Sequence, residues 1–252
     1  MLGIHVRFRF AGELNDFLSP DKRHVPFDYL AGTTDTLKHV IESIGVPHTE
    51  VDRVKVNGQE TPLSIQLTSG DFVDVLPYVA PVLLDDLRFV LDGHLGRLAA
   101  YLRMLGFDTW YKRDPDDPEL ATVAKDEGRV LLTRDVGLLK RREVERGYSI
   151  RSHNPHDQLR EVSNRFALAS RLLPFTRCME CNGELQAVPK HQVADLLPPH
   201  TRETKNEFSR CSSCGKIYWR GSHHARMLGW IEDLVRGAIP GQIPKGWSCP
   251  KS

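Results

Sequence analysis

Four cysteines occur as two pairs, Cys178-x-x-Cys181 and Cys211-x-x-Cys214, with 29 residues between the pairs. Each pair places two thiolates on one tight turn, and two such turns complete the tetrahedral sulfur shell that suits Zn²⁺. Two disulfides would instead require an oxidising compartment, and a redox motif of the thioredoxin type would need only one pair. The spacing therefore predicts a structural zinc site of the zinc-ribbon kind.

Aromatic and basic side chains follow the second cysteine pair in the stretch GKIYWRGSHH. Aromatic rings between cations suit single-stranded nucleic acid, because bases stack on the rings while the cations contact phosphates. Alternatively, a ring of Tyr218 or Trp219 packs inside the small core of the ribbon. His223 and His224 are not expected to bind the metal, since four cysteines already fill its shell. The residues predicted to bind RNA here are Lys216, Trp219 and Arg220.

Three aspartates further upstream follow or precede apolar segments. Asp92 ends the run FVLD and Asp135 ends the run RVLLTRD, so each lies where a predicted strand stops. Asp117 lies at the start of the helix that leads into the second of these strands. Ligands of open parallel sheets bind outside the carboxyl ends of the strands. We therefore expect the three carboxylates to converge if the two strands are neighbours.

Clustered carboxylates of this kind can hold a divalent cation, and Mg²⁺ or Mn²⁺ favours such an oxygen-only shell. These ions suit phosphodiester hydrolysis, because they activate water and stabilise the attacking and leaving oxygens. We predict that Asp92, Asp117 and Asp135 form this catalytic site and that Thr133 directs its hydroxyl into it. The side chains predicted to bind substrate phosphates are Arg97, Arg103 and Arg134.

The same aspartates have a purely structural alternative. An Asp at the end of a strand or the start of a helix is often only a turn or cap residue. This alternative applies most strongly to Asp117, which Asp114 or Asp116 can replace in a metal-binding role. The flanking arginines are ordinary for surface helices. The pattern by itself leaves both interpretations open.

The first 80 residues predict a small domain with the order ββαββ. Strands are expected at IHVRFRF and RHVPFDYL, a helix at TLKHVIESI, and two further strands at DRVKVNG and DFVDVLPYV. Thr34 or Asp35 is expected to cap the helix and Gly45 to end it, while Asn57-Gly58 supplies a tight turn. This order is that of a β-grasp, ubiquitin-like fold, and it resembles sulfur-carrier proteins. Because their C-terminal Gly-Gly is absent, we expect docking to a protein partner rather than sulfur transfer.

Residues 86–170 alternate apolar strands with amphipathic helices. Predicted strands at LRFVLD, FDTWYKR, RVLLTRD and YSIRS are separated by helical segments. This alternation predicts a parallel sheet with helices on both faces. The predicted fold class is therefore multidomain α+β and α/β, with a β-grasp over residues 1–80, a parallel α/β domain over 86–170 and a zinc ribbon over 174–230.

The C-terminal third contains one long connection and a tail. Residues 182–210 separate the two cysteine pairs and are predicted as an elongated connection that breaks at Pro198-Pro199. Residues 231–252 are predicted as a tail that is rich in Pro and Gly, in which Cys249 is an ordinary free thiol.

Charge and hydropathy limit the partners and the location. Residues 171–252 carry 12 Lys and Arg against 7 Asp and Glu, a formal charge of +5, whereas the whole chain carries only +1. A basic module that holds a metal is a suitable contact for a polyanion, although a solvated surface would have the same charge. No apolar run approaches the about 20 residues that span a bilayer, and the N-terminus lacks a signal peptide. We expect a cytoplasmic protein without a membrane partner.

Three blocks of this sequence resemble the Mut-seven C-terminal RNase family. They are FVLDGHLGRLAAYLRMLGFDTWY, DDPELATVAKDEGRVLLTRD and the two cysteine pairs with their flanks, and together they cover residues 86–230. The resemblance implies a PIN-like nuclease domain fused to a zinc ribbon, and some members carry an N-terminal ubiquitin-like domain. It also implies that Asp92, Asp117 and Asp135 are the nuclease acids, with Thr133 in the Thr-x-Asp position.

The chain departs from the PIN pattern in one respect. PIN nucleases often supply a further acid from a helix after the first strand, but the helix predicted over residues 94–105 contains no Asp or Glu. Two functions from different classes therefore stay open. One is a metal-dependent ribonuclease whose zinc ribbon aids RNA binding. The other is a non-catalytic module that binds RNA or a ribonucleoprotein through a degenerate nuclease site.

Overall fold

The computed structural model describes residues 3–235. Contacts divide the chain into two compact units. The first unit comprises Met1–Val82 and Asp116–Ser149, and the second comprises Leu83–Pro115 and Ile150–Ser252. The N-terminal segment thus shares a unit with a segment from the middle of the chain, while the cysteine pairs share a unit with the segment around Asp92.

A five-stranded sheet and one helix form the N-terminal part of the first unit. In this sheet β1 and β5 are parallel, and the other neighbouring strands are antiparallel in the order β2-β1-β5-β3-β4. This arrangement confirms the predicted β-grasp fold. The elements are β1 (Gly3–Phe10), β2 (Phe27–Gly32), α1 (Leu37–Ile44), β3 (Val51–Val56), β4 (Gln59–Glu60) and β5 (Phe72–Pro77).

One face of this sheet packs against one face of α1 to form a hydrophobic core. In β1, Val6, Phe8 and Phe10 are buried while Arg7 and Arg9 between them are exposed, as the period of two in a strand requires. Helix α1 contributes three residues, of which the second and third follow the first by three and four positions, so all of them lie on one helical face. They are Leu37, Val40 and Ile41.

Helix α1 begins later than the sequence predicted. Thr36 caps it, because its hydroxyl accepts a hydrogen bond from the backbone N–H of His39 at 3.3 Å. The predicted cap, Thr34 or Asp35, was therefore wrong. The carboxylate of Asp35 instead accepts the N–H of Gly32 at 2.9 Å, which stabilises the turn before the helix.

Residues with positive φ end α1 and join β3 to β4, as predicted. Gly45 follows the helix with φ of +138°, a conformation that few side chains tolerate. Asn57 and Gly58 have φ of +51° and +84°, the combination that a tight hairpin turn of type I′ requires.

Parallel strands and helices alternate from residue 89 to residue 166. Strands β6 and β7 pair in parallel in the second unit, and β8 and β9 pair in parallel in the first. All residues of β6 and β8 are buried, which explains their unbroken apolar runs. The α/β class predicted for this region is confirmed. The elements are β6 (Phe89–Leu91), α2 (Gly96–Met104), β7 (Thr109–Tyr111), α3 (Asp117–Asp126), β8 (Val130–Thr133), α4 (Val136–Leu139), β9 (Gly147–Ser149) and α5 (Pro155–Phe166).

A three-stranded antiparallel sheet in the order β10-β11-β12 carries the cysteine region. The prediction of an elongated connection over 182–210 was wrong, because this segment contains a strand and a short helix. The helix begins at Pro199, since proline fits the first turn of a helix, where its missing N–H is not needed. The elements are β10 (Leu185–Val188), α6 (Pro199–Thr204), β11 (Phe208–Cys211), β12 (Ile217–Trp219) and α7 (Ser222–Val235).

Helix α7 passes the predicted domain end at residue 230 and continues to Val235. The predicted tail, 231–252, therefore begins within a helix. Its remaining residues 236–252, which include Cys249, lie outside the described residues. Within residues 3–235, no helix combines the length and the apolar character that crossing a membrane requires.

A buried carboxylate links the β-grasp part of the first unit to β9. Glu50 is fully buried, and its Oε1 accepts the backbone N–H of Ser149 at 2.6 Å. Next to it, Nε2 of His48 donates to the carbonyl of Val144 at 2.9 Å, and Nδ1 of His48 lies 2.6 Å from a carboxylate oxygen of Glu42. The β-grasp fold thus satisfies polar groups of the segment that follows β8.

We expect the substitution Glu50→Ala to lower the free energy of unfolding by about 1–3 kcal/mol, because it leaves the buried N–H of Ser149 without an acceptor. Urea denaturation measures this change. Glu60→Ala is the matched control, since Glu60 is exposed on β4 and its loss should leave the midpoint unchanged. Equal midpoints for the two variants would contradict a structural role for Glu50.

Candidate functional site

The four cysteine sulfurs lie together and are not disulfide-bonded. They lie within 4.8 Å of one another; Sγ of Cys178 is 3.7 Å from Sγ of Cys214, and Sγ of Cys181 is 3.4 Å from Sγ of Cys211. Tetrahedral zinc with Zn–S bonds of about 2.3 Å separates two sulfurs by about 3.8 Å. The donor set and its spacing therefore fit one Zn²⁺ ion.

The surroundings of the thiols also favour a metal. Burial raises the pKa of the Cys214 thiol, and the neighbouring thiols raise it further. Burial opposes ionisation of Cys211 too, but the backbone N–H groups of Cys214 and Ser213 point at its Sγ and hold its pKa below the ordinary value. Four thiolates this close repel one another, so a dication is needed to stabilise the fully ionised set.

Glycine is required where the two cysteine turns approach each other. A Cβ atom on Gly183 would lie 2.5 Å from Oγ of Ser213 and 2.7 Å from Sγ of Cys211. Any side chain at this position would push the second cysteine turn away from the first. The sequence Cys181-Asn182-Gly183 thus sets the distance between the two pairs of ligands.

Arg103 is buried and does not face solvent, which corrects its predicted role in binding phosphate. Its side chain is only 3% exposed, because α2 is buried on almost every side from Leu98 onwards. Nε donates to the carbonyl of Thr109 at 3.0 Å, and Nη1 donates to the carbonyls of Glu180 at 2.7 Å and Met179 at 3.3 Å. Arg97, on the same helix, is exposed, and its predicted contact with substrate phosphate stays a prediction.

The aromatic and basic residues after the second pair divide into half-buried and exposed groups. The hydroxyl of Tyr218 lies 3.1 Å from Sγ of Cys178, and burial raises the pKa of this phenol. Trp219 keeps 38% of its surface exposed. Lys216 forms an ion pair with Glu180, and the exposed side chain of Arg220 lies 3.0 Å from the carboxylate of Glu207.

Neither of the two histidines in this stretch belongs to the ligand cluster. Nδ1 of His223 lies 2.9 Å from a guanidinium nitrogen of Arg226. The ring of His224 stacks on Phe175 with 4.3 Å between the ring centroids. That sulfur alone fills the shell stays a prediction.

Asp117 and Asp135 lie in the first unit, at the N-termini of two helices. Asp116 caps α3, since its Oδ1 accepts the N–H of Glu119 at 2.7 Å, and this leaves Asp117 as the first residue of the helix with an exposed side chain. Asp135 caps α4 through Oδ1, which accepts the N–H of Gly137 at 2.7 Å. The cap uses Oδ1 of Asp135, and Oδ2 has no role in it.

Thr133 fixes the backbone just before this cap. It is fully buried at the end of β8, and its hydroxyl accepts the N–H of Asp135 at 2.9 Å. The Thr-x-Asp pattern therefore orients the aspartate through a local hydrogen bond. The Thr133 hydroxyl therefore holds the loop that carries Asp135.

Asp92 lies in the second unit directly after the buried strand β6. It stands at the start of a short 3₁₀ turn, but its side chain makes no capping hydrogen bond there. The hydroxyl of Tyr111 donates to the carbonyl of the next residue, Gly93, at 2.9 Å. Burial raises the pKa of Tyr111, and the negative charge of Asp92 adds to this increase. The joint binding of one ion by Asp92, Asp117 and Asp135 stays a prediction.

Sequence reasoning missed several residues that support the first cysteine pair. Asn182 has φ of +69°; its amide oxygen accepts the N–H of Thr109 at 2.9 Å, and its amide nitrogen donates to Asp108 at 2.9 Å. Arg177 lies 3.4 Å from the same carboxylate. The sequence feature that could have revealed this contact is an asparagine directly after a C-x-x-C turn, since Asn tolerates the left-handed conformation better than most residues.

We expect metal analysis of the purified chain to find about one zinc per molecule, because the four sulfurs complete one tetrahedral shell. Cys178→Ser and Cys211→Ser each remove a buried ligand and should abolish stoichiometric zinc. Cys249→Ser is the control and should keep it. A folded protein that contains no zinc would refute the predicted centre.

Comparison with known families agrees with this architecture. A family model described as the Mut7-C RNAse domain matches residues 87–231, and a model described as Mut7-C ubiquitin matches residues 3–82. No curated protein and no solved structure matches the chain. The larger match contains the three candidate aspartates and all four cysteines of the cluster. The chain therefore belongs to the Mut7-C RNAse domain family, with the ubiquitin-like domain preceding the nuclease-like domain.

Proposed function

We propose that this chain is a metal-dependent ribonuclease that hydrolyses RNA phosphodiester bonds at Asp92, Asp117 and Asp135. The observation that carries the proposal is the match to an RNAse domain over residues 87–231, since all three acids lie within it. The local structure supports it as well. Asp117 is relieved of capping by Asp116, and Asp135 caps through one oxygen only.

These carboxylates would hold Mg²⁺ or Mn²⁺, and such an ion supplies an activated water and neutralises charge on the phosphate. The chain itself supplies the orientation of the ligands. The buried hydroxyl of Thr133 holds the backbone N–H of Asp135, and the α4 cap holds Oδ1 of the same side chain. Because the Asp135 side chain is already held in one orientation, binding of a metal ion by Oδ2 at the carboxyl end of β8 would cost little further side-chain freedom.

Basic side chains around these acids would contact RNA phosphates. Arg97 and Arg134 are both exposed, and each lies within five residues of a candidate acid in the sequence. With Arg103 buried, they are the two predicted phosphate contacts of this region that solvent reaches. Arginine binds phosphate through two parallel N–H donors, which suits positioning of the scissile group.

The zinc ribbon would add an RNA contact at some distance along the chain from the acids. The exposed ring of Trp219 offers a surface for a base, and Lys216 and Arg220 lie on either side of it in sequence. Both cations form ion pairs with glutamates. Because exposed ion pairs contribute only about 0–1 kcal/mol, RNA phosphates can displace the glutamates at little cost.

The ubiquitin-like domain and the thiol cluster support two further points of this proposal. A ubiquitin-like fold that lacks a C-terminal Gly-Gly suits docking to a protein partner, and the family match over residues 3–82 supports such a domain. A zinc-binding set of four free thiols is stable in a reducing compartment, which supports a cytoplasmic location.

We expect Asp92→Asn and Asp135→Asn each to lower the cleavage rate of labelled RNA in Mn²⁺ by about 100-fold or more, the scale of a misplaced catalytic group. Asn is also a good helix cap, so Asp135→Asn removes the charge while it keeps the α4 cap. Asp126→Asn, at the exposed end of α3, is the control and should cleave at the normal rate.

RNA binding by the same variants separates this proposal from its alternative. If the wild-type chain binds RNA without cleaving it, the chain is a non-catalytic RNA-binding module. Cleavage that survives both substitutions would instead refute hydrolysis at these aspartates. The acid-free helix α2 is the observation that favours that alternative, because PIN nucleases often place an acid there.

Neighbouring aspartates at the start of α3 provide a second test. Asp117→Asn should lower cleavage by about 10- to 100-fold, the cost of weakening a metal site, while Asp116→Asn should leave it unchanged because Asn can still cap the helix. Circular dichroism checks that the helix persists in both variants. The reverse order of effects would assign the metal-binding role to Asp116 instead.

A further inference from the structure

A buried arginine joins the first cysteine turn to strand β7. The guanidinium of Arg103 donates to the carbonyls of Met179 and Glu180, the two residues inside the Cys178-x-x-Cys181 turn. The same group donates to the carbonyl of Thr109, the first residue of β7. One planar guanidinium group therefore contacts both the metal-binding turn and the strand, and it holds them at a fixed distance.

Charge would strengthen this contact in the metal-bound state. Zn²⁺ with four thiolates carries two net negative charges, and such a dianion next to a buried cation offsets the cost of burying either one. Burial lowers the pKa of the Arg103 guanidinium, and the nearby charges of Cys178 and Cys181 oppose that decrease. The metal also fixes the turn whose carbonyls accept the hydrogen bonds.

A second connection runs parallel to the first. Asn182, directly after the cysteine turn, accepts the backbone N–H of Thr109 and donates to Asp108. Both the N–H and the carbonyl of Thr109 are thus held by residues that depend on the cysteine turn. This end of β7 has little freedom to shift while the turn is fixed.

Strand β7 in turn holds the segment that carries Asp92. Leu91, which precedes Asp92, pairs with Tyr111 in the parallel ladder of β6 and β7. The hydroxyl of Tyr111 donates to the carbonyl of Gly93, which follows Asp92. A Cβ on Gly93 would lie 2.5 Å from the carbonyl oxygen of Arg113, so this segment also packs closely against the end of β7.

We infer that Arg103 is a positioning residue that couples zinc occupancy of the ribbon to the placement of Asp92. Zinc fixes the cysteine turn, Arg103 and Asn182 transmit that position to β7, and β7 holds the backbone on both sides of Asp92. The consequence for cleavage rests on the proposed function. The coupling itself is a property of this fold and can be measured without RNA.

Hydrogen exchange and zinc release test the coupling in the full-length chain. With zinc saturating, Arg103→Met should make the amides of residues 93–95 and 108–112 exchange about tenfold faster, the effect of losing one buried hydrogen bond. Zinc release to a coloured chelator should become about 10- to 100-fold faster, as for other outer-shell substitutions. Zinc-stripped wild-type protein should show the same pattern of faster exchange.

Two further variants make the result specific. Arg103→Lys keeps the charge but cannot reach all three carbonyls, so its exchange and zinc release should fall between those of wild type and Arg103→Met. Arg160→Met removes an exposed arginine of α5 that pairs with Asp157, and it should match wild type in every measurement. If Arg103→Met fails to fold, Arg103→Lys and the stripped wild type decide the question.

Unchanged exchange of residues 93–95 in both Arg103→Lys and the stripped protein would overturn the inference. If the wild type cleaves RNA, Arg103→Met should lower kcat and leave KM unchanged, because a buried arginine has no surface for RNA. A rise in KM with unaltered kcat would instead assign Arg103 to RNA binding and overturn the positioning role. A wild type that never cleaves RNA would defeat the proposed function, while exchange and zinc release would still decide the coupling.

Discussion

Four sulfurs that lie within 4.8 Å of one another are the constraint on which the second unit depends. Such a group is unfavourable as four thiolates, and a tetrahedral dication resolves the repulsion. The ribbon around it has only a small apolar core of Val193, Leu197 and Phe208, with a few half-buried neighbours. A core of this size is small for three short strands, so a metal ion bound by the four sulfurs would supply much of the stability of the ribbon.

Buried charged groups connect segments that are far apart in sequence. In the first unit, the carboxylate of Glu50 accepts the N–H of Ser149; in the second, Arg103 donates to carbonyls more than 70 residues later. Both side chains bind backbone groups, whose positions are fixed by strands or tight turns. These hydrogen bonds offset part of the cost of burying each charge. These two residues tie together segments that the sequence pattern treats as independent.

The candidate acids illustrate how local geometry can free a side chain for function. Two adjacent aspartates begin α3, and the first of them takes the capping bond that would otherwise occupy the second. After β8, a buried threonine accepts the backbone N–H of Asp135, and two backbone N–H groups donate to one oxygen of the Asp135 side chain. These arrangements are made by residues within three positions of each other. They were accessible to sequence reasoning as alternatives, and only the structure chose between Asp116 and Asp117 as the cap.

Local sequence patterns predicted the four candidate metal ligands, the β-grasp order and the strands that precede Asp92 and Asp135, because spacing and hydrophobic period depend on near neighbours along the chain. The tertiary structure decided which charged residues are buried. Arg97 and Arg103 lie on one helix and look equivalent in sequence, yet one is exposed and the other is enclosed between the cysteine turn and β7. Nothing local distinguishes them, since the partners of Arg103 come from residues 109 and 179–180. Long-range packing alone made that arginine a structural link.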